Sequence, residues 1–356
     1  MIQSLQPSGG LILIFLVTFS AFTFSLEPQS LPLQTRDWNL QSIVEDCGCE
    51  LSVKAVTQRI GLQECNQHHS ACLEALARWK RQPLSKLPRS MVFSMFWSGE
   101  EMPQMTVLSI MSILATQPSG TTIHLWLTRT LSPADLPAIL QPFLSRGLLQ
   151  LHHFASNHPS LYPALLSDYF RFWALSGTPG FYVDTDVVVL RTFAPLLKLM
   201  VEEDIDFAYR WSSQAYANTA VLGMRSRSKL FQLLNEHGFS AFYPSVMTKI
   251  CAQDPSGVCP RAFKLLPSTF FDPLWLRQDD AAADGWCGLN AFTDFFSPFH
   301  GNPRTLLRCM LSGPFAHHTH KSGASTCEPS SPARILSDHI SRFIQKRFNV
   351  SETICQ

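Results

Sequence analysis

Two aspartates one residue apart, Asp184 and Asp186, stand inside the apolar run "GFYVDTDVVVLRTF" at residues 180–193. An unpaired carboxylate in such surroundings is costly, so something must neutralise the pair. Side chains alternate along an extended segment, which puts both carboxylates on one face and Thr185 on the other. Paired hard oxygens suit Mg²⁺ or Mn²⁺, ions that complete their shell with water and substrate phosphates. A diphosphate-bearing substrate is therefore implied. Upstream, "LLSDYFRFWAL" sets Asp168 and Arg171 three residues apart on one helix face. They form an intrahelical ion pair, or they deliver a carboxylate and a guanidinium to sugar hydroxyls and the diphosphate. Downstream, "FAHHTHKSG" at 315–323 carries His317, His318, His320 and Lys321. In an extended segment His318 and His320 share one face and His317 takes the other. The segment reads as a polar surface loop, with an imidazole able to complete the shell of Mn²⁺ as the alternative.

These groups need elements to hold them. From "SMVFSMFW" at 90–97 onward, apolar runs of strand length alternate with helix-like segments: "TTIHLWL", "SPADLPAILQPFLSRG" from 132, "LLQLHHF", and "PALLSDYFRFWAL" from 163. That alternation predicts βαβ units and a mostly parallel sheet. Pro133 and Pro163 fall near helix starts. The stretch 180–193 reads as one buried strand, and its aspartates lie where α/β sheets place their ligands. Further on come a short helix at "FAPLLKLM", strands at "DIDFAYRW" and "NTAVLGMR", and an irregular region from about 240 to 310. There Cys251 and Cys259 bracket a turn, with a disulfide between them as one pairing among many. The Phe-rich span 263–299 reads as core, with an acceptor cleft as the alternative. "ARILSDHISRFIQKRF" has helical spacing.

The 356 residues suffice for one large domain with an appendage, or for two domains. Charged residues are only 15% and the formal charge is +1, which excludes nucleic-acid binding driven by bulk charge. Ten cysteines without zinc-type spacing point to an oxidising compartment. Residues 9–26 are free of charge and near the lower length limit for a membrane-spanning helix, so residues 1–26 are expected to be a signal-anchor, or else a cleaved signal peptide. Residues 27–89 hold four cysteines and read as a stem, ending in the linker-like "KRQPLSKLPR". The domain proper is expected over 90–330, with a helical tail at 331–356. One sequon, Asn349-Val350-Ser351, agrees with export from the cytosol.

Taken together, "SDYFRFWALSGTPGFYVDTDVVVL" resembles the S-D-x-x-R…G-G-x-Y-x-D-x-D signature of the DXD-containing glycosyltransferases of family 32, which includes α-1,4-galactosyl- and α-1,4-N-acetylglucosaminyltransferases. "YANTAVLGM", "FKLLPSTFFDPLW" and "FAHHTHKSG" are similar to later family segments, so the resemblance spans roughly 90–325. Pro179 replaces the first paired glycine, Thr219 stands where a glycine is usual, and the terminal motif lacks its tryptophan and asparagine. The resemblance implies a GT-A fold, a Rossmann-type sheet flanked by helices. It also implies retaining transfer of a hexose or N-acetylhexosamine from a nucleotide-diphosphate sugar, UDP-Gal or UDP-GlcNAc, to a glycan or glycolipid hydroxyl. The implied metal set for Mn²⁺ or Mg²⁺ is Asp186, Asp184 and His318. The implied donor set is Asp168, Arg171, Tyr182, Asp184 and Lys321, with Asp184, Asp186, Asp168 and Arg171 catalytic. A type II Golgi membrane protein with a lumenal catalytic domain follows from the resemblance and the N-terminal segment together. Two other classes remain open: a catalytically silent lumenal binding protein on the same fold, and a DxD phosphohydrolase whose first aspartate is a nucleophile. Against the latter, Val187 and Val188 replace the small residues expected there.

Overall fold

Apolar strand-length runs alternate with helices in the order β1 (Val92–Trp97), α1 (Gln104–Thr116), β2 (Thr122–Leu127), α2 (Gln141–Ser145), β3 (Leu149–His153), α3 (Pro163–Gly177), β4 (Gly180–Val183) and β5 (Val187–Val189). Then follow α4 (Ala194–Glu202), β6 (Asp206–Arg210), β7 (Ala217–Met224), α5 (Leu230–Glu236), α6 (Pro244–Gln253), α7 (Val258–Ala262), β8 (Phe263–Leu266), α8 (Pro303–Met310), β9 (Ala316–His318) and α9 (Pro332–Phe348). This is a computed structural model. It describes residues 72, 89–130, 132–155, 162–211, 214–275, 277 and 285–355, all within one unit spanning Trp38–Gln356. The expected anchor at 1–26 and, Cys72 excepted, the stem up to residue 88 lie outside the described residues. Among the described residues no helix is long and apolar enough to cross a membrane.

Seven strands form one sheet in the order β3-β2-β1-β4-β7-β6-β8. β7 pairs antiparallel with β4 and β6, and every other pairing is parallel. Both faces are buried, and the strands alternate between them. Phe93, Phe181 and Phe207 pack with α1 and α9 on one side, whereas Tyr182, Ala208 and Leu222 pack with α3 and α6 on the other. That explains why the strand sequences are continuously apolar. The chain leaves β1 outward to β2 and β3, then returns to the far side of β1 as β4. The resulting switch point lies at the carboxyl ends of β1 and β4, the usual ligand position in such sheets.

Several local expectations change. The span 180–193 is two strands. β4 belongs to the large sheet, Asp184-Thr185-Asp186 makes a turn closed by Val187 N–H donating to Asp184 O at 3.1 Å, and β5 pairs antiparallel with β9. Residues 132–147 form two 3₁₀ turns and the short α2, because Pro137 and Pro142 interrupt a longer helix. The region from 240 to 310 holds α6, α7, β8 and α8. The tail is no appendage: Ala333, Leu336, Ile340 and Ile344 of α9 join the main core, and Cys327–Cys355 ties it to the loop after β9. Cys251–Cys259 and Cys287–Cys309 are also bonded. Phe263, Phe270, Phe271 and Phe295 are buried, so most of the Phe-rich span is core.

Gly180 explains why the second glycine of the motif survives the Pro179 change. Its φ is +153°, and a Cβ there would lie 2.5 Å from the Val92 carbonyl oxygen, where β4 meets β1. Gly180→Ala is expected to lower stability by about 1–3 kcal/mol, read as a lower urea midpoint with an unchanged slope.

Candidate functional site

Asp184 is the first residue beyond β4, and its N–H still donates to Ala220 O of β7 at 2.8 Å. Its carboxylate is gripped from the α3 side of the sheet. The Tyr182 hydroxyl donates to Oδ1 at 2.7 Å, and Arg171 Nη2 approaches the same oxygen at 3.4 Å. Arg171 is itself held on all sides. Nη2 pairs with Asp168 at 3.1 Å and donates to Ser167 Oγ at 3.2 Å, Nη1 donates to Thr219 Oγ1 at 2.6 Å, and Nε donates to Ser167 O at 3.3 Å. Asp168 and Arg171 form the intrahelical ion pair, and the guanidinium also reaches the aspartate turn. Tyr182, expected among the donor contacts, is fully buried. Its hydroxyl is engaged by Asp184 and by Ser167 Oγ at 3.3 Å.

Asp186 is met from the other direction. Register in the β5–β9 ladder sets Val187 opposite His318, which leaves His318 Nε2 3.4 Å from Asp186 Oδ1. Thr319 closes the arrangement by donating from its N–H and hydroxyl to Asp186 O, each at 2.9 Å. From α1, Ser109 Oγ donates to Val187 O at 2.6 Å, and Ser112 Oγ accepts from Val189 N–H at 2.8 Å, pinning the short β5. Behind His318, Nδ1 is 2.7 Å from the Tyr209 hydroxyl, and Asp272 lies beyond. The faces are as expected: His318 and His320 lie together with ring centroids 3.6 Å apart. His317 points away into an apolar nest beside Trp286 and Phe295. Lys321 is exposed.

Electrostatics separate the two aspartates. Burial raises the proton affinity of Asp184, Arg171 opposes this, and Asp186 adds to it, with a net upward shift. Burial also works against the Asp186 charge, but His318 outweighs it and the carboxyl falls below its usual range. Burial would lower His318, yet Asp186 lifts it above an ordinary imidazole. For Asp168 burial exceeds the help from Arg171, and its carboxyl rises to about 6. Burial depresses Arg171, but Asp184 and Asp168 hold it firmly charged.

One ligand atom each from Asp184, Asp186 and His318 lie within 4.8 Å of one another. Two hard oxygens with one imidazole nitrogen fit a divalent ion of the Mn²⁺ type. A cavity of about 570 Å³ opens past the ends of β1 and β2, lined by Glu100, Glu101, Arg129, Thr130 and Asp135 among others. None of the aspartate-turn residues lines it.

Residues 103–206 match the family model for the glycosyltransferase sugar-binding region containing a DXD motif. The chain thus carries a glycosyltransferase-type DXD region. That span holds Asp168, Arg171, Asp184 and Asp186 and stops short of His318. Comparison with curated proteins finds no match. Among solved structures, the glycosyltransferase GlyE of Streptococcus pneumoniae TIGR4 is similar at 13% identity and TM-score 0.37, over 51% of this chain and 46% of that one. The chain thus spans about half of GlyE. The galactosyltransferase LgtC, solved with donor and acceptor sugar analogs, is similar at 15% identity and TM-score 0.40, over 74% of this chain and 98% of that one. The mannosyltransferase PcManGT of Pyrobaculum calidifontis, in complex with GDP-Man and Mn²⁺, is similar at 10% identity and TM-score 0.31, over 83% and 87%.

Sequence reasoning missed Tyr209 and Asp272, and read Thr219 only as a departure. Thr219 accepts from Arg171, a role a glycine lacks. The one signal for Asp272 was an acid set among aromatic residues in "FFDPLW".

Asp168 supplies a test of this electrostatic picture. The folded carboxyl binds its proton more tightly than the unfolded one, so its contribution to stability is present at low pH and is lost as pH rises from 3.8 through about 6. Without added metal, wild type should therefore gain about 1 kcal/mol on Asp168→Asn between pH 7 and pH 5, measured by urea unfolding of both proteins. A difference independent of pH would contradict the assignment.

Proposed function

We propose that this protein is a metal-dependent glycosyltransferase that moves a hexose or N-acetylhexosamine from a nucleotide-diphosphate sugar to a sugar hydroxyl. The observation that carries the reading is the convergence of Asp184, Asp186 and His318 at the carboxyl end of β4, inside and just beyond the DXD region. A divalent ion bound there would supply the positive charge that stabilises a leaving diphosphate. Asp186 and His318 would hold it directly. Asp184, held between Tyr182 and Arg171, would take ribose or a metal-bound water. Asp168 is the carboxylate for donor-sugar hydroxyls, and Arg171 orients Asp168 and Asp184 rather than reaching out itself, because its nitrogens are already engaged. Lys321, exposed after β9, is free to approach the diphosphate. The cavity past β1 and β2 offers room for the nucleoside. UDP-Gal or UDP-GlcNAc as donor, a glycan or glycolipid as acceptor, and retention of configuration rest on the sequence resemblance. A phosphohydrolase reading is disfavoured, since Asp184 is engaged by Tyr182 and Arg171 and Val187 and Val188 are buried in β5.

The same proposal puts the domain in the lumen of the Golgi, anchored by residues 1–26 as a single-pass type II protein. Its support is the set of disulfides, including one made by Cys72, and the exposed sequon Asn349 at the end of α9.

Asp186→Asn should abolish metal-dependent transfer and hydrolysis across a panel of UDP- and GDP-sugars while leaving the protein folded. His318→Ala should raise the Mn²⁺ concentration needed for half-maximal rate, and Lys321→Ala should lower kcat more than donor affinity. Wild-type turnover of Asp186→Asn at limiting Mn²⁺ would sink the catalytic reading. For topology, the domain should resist protease in intact microsomes and become sensitive once detergent is added. Digestion without detergent would place it in the cytosol.

A further inference from the structure

His318 belongs to two clusters. Its Nε2 faces Asp186 at 3.4 Å, while its Nδ1 lies 2.7 Å from the Tyr209 hydroxyl and 3.8 Å from Asp272 Oδ2. Asp272 Oδ2 is also 2.7 Å from His320 Nε2. One ligand atom from each of Asp272, His318 and His320 lies within 4.8 Å of the others. Asp272 has no exposed surface, and its other oxygen, Oδ1, has no hydrogen-bond partner among the described residues. A fully buried carboxylate whose Oδ2 faces two imidazoles while its Oδ1 has no partner among the described residues is a donor set that a cation would complete. The transfer reaction proposed above uses neither Asp272 nor His320.

The geometry points to a second divalent-cation site at Asp272, His318 and His320, suited to a zinc-like ion and competing with the aspartate-turn site for His318. Two nitrogens and one carboxylate oxygen form a ligand set typical of zinc, whereas the Asp184–Asp186 pair offers the harder oxygens that Mn²⁺ and Mg²⁺ accept. Tetrahedral bonds near 2.0 Å place ligand atoms about 3.3 Å apart. The separations here of 2.7 and 3.8 Å bracket that value, so small side-chain shifts suffice. Trp275 and Phe292 pack on His320 with ring centroids 4.8 and 4.5 Å away, shielding the cluster from water.

Competition follows from the imidazole itself. A neutral ring has one N–H and one lone pair. With the proton on Nδ1 and donated to the Tyr209 oxygen, the lone pair on Nε2 faces Asp186. With the proton on Nε2, the lone pair on Nδ1 accepts from the Tyr209 hydroxyl, and an ion held between His318 and Asp272 takes the place of that bond. His318 therefore serves one ion at a time, and its tautomer decides which.

The second site stands on its own ligands, but the antagonism rests on the donor-site reading. Both are tested with the full-length chain, Zn²⁺ binding being measured by calorimetry and free Mn²⁺ by electron paramagnetic resonance. Wild type is expected to bind Zn²⁺ at a site that Asp184→Asn keeps and that His320→Ala weakens by about tenfold or more. Zn²⁺ added to Mn²⁺-loaded wild type should release Mn²⁺, and His320→Ala should need about tenfold more Zn²⁺ to do so. Asp272→Asn should behave like His320→Ala, and thermal melts establish that each variant is folded. Unchanged Zn²⁺ affinity in folded His320→Ala, or Zn²⁺ binding abolished by Asp184→Asn, overturns the second site. Both ions held together in wild type overturns the competition. Failure of Asp186→Asn to weaken Mn²⁺ binding would count against the donor-site reading alone and would leave the Zn²⁺ result standing.

Discussion

Two carboxylates at the end of a buried strand repel each other and lose water, so each requires a positive partner brought from elsewhere in the chain. Much of the architecture around Asp184 and Asp186 meets that requirement. Asp184 is served from one face of the sheet by α3, through Arg171, and by the preceding strand residue Tyr182. Asp186 is served from outside the large sheet by β9, through His318. The turn between β4 and β5 is what parts them, sending one carboxylate back toward the sheet and the other toward the ladder. Had the strand continued straight, both would have faced the same neighbours, and one counterion would have had to serve two charges.

The two partners differ in kind. Arg171 is buried, permanently charged and tied to Asp168, Ser167 and Thr219 as well as to Asp184. It is a fixed counterion, and it leaves Asp184 with little freedom. His318 can give up its proton, and its ring offers a lone pair in exchange for an ion pair. The Asp186 side is accordingly the side on which an external cation can replace an internal one. A fixed pair on one flank and an exchangeable pair on the other is a useful division for a site that must keep its shape while a charged ligand comes and goes.

Secondary supports follow the same logic. β5 is only three residues long, too short to hold a register alone, and Ser109 and Ser112 of α1 fasten it by side-chain hydrogen bonds to its backbone. The Cys327–Cys355 bond and α9, packed on α1, stabilise the end of the chain that follows β9. Tyr209 and Asp272 come from the β6 and post-β8 segments to meet the back of His318. With the Asp186 turn, three separate stretches of sequence thus converge on one imidazole.

How much of this was legible beforehand depended on the range of the interaction. The Asp184–Asp186 spacing, the helix that puts Asp168 beside Arg171, the alternation of strands and helices, and the opposite faces of His317 and His318 all follow from periods of two to four residues, and sequence alone determined them. Sequence also kept a glycine at 180, where the backbone of β1 approaches too closely for a side chain. What it could not determine was which distant group answers each charge, because that depends on sheet order and ladder register, which local periodicity does not encode. The break of 180–193 into two strands, the burial of Tyr182, the hydrogen bond from Arg171 to Thr219, and the sharing of His318 between Asp186 and Asp272 were decided only when β9 paired with β5 and β6 came alongside β7. Local pattern placed the carboxylates; long-range pairing chose what neutralises them.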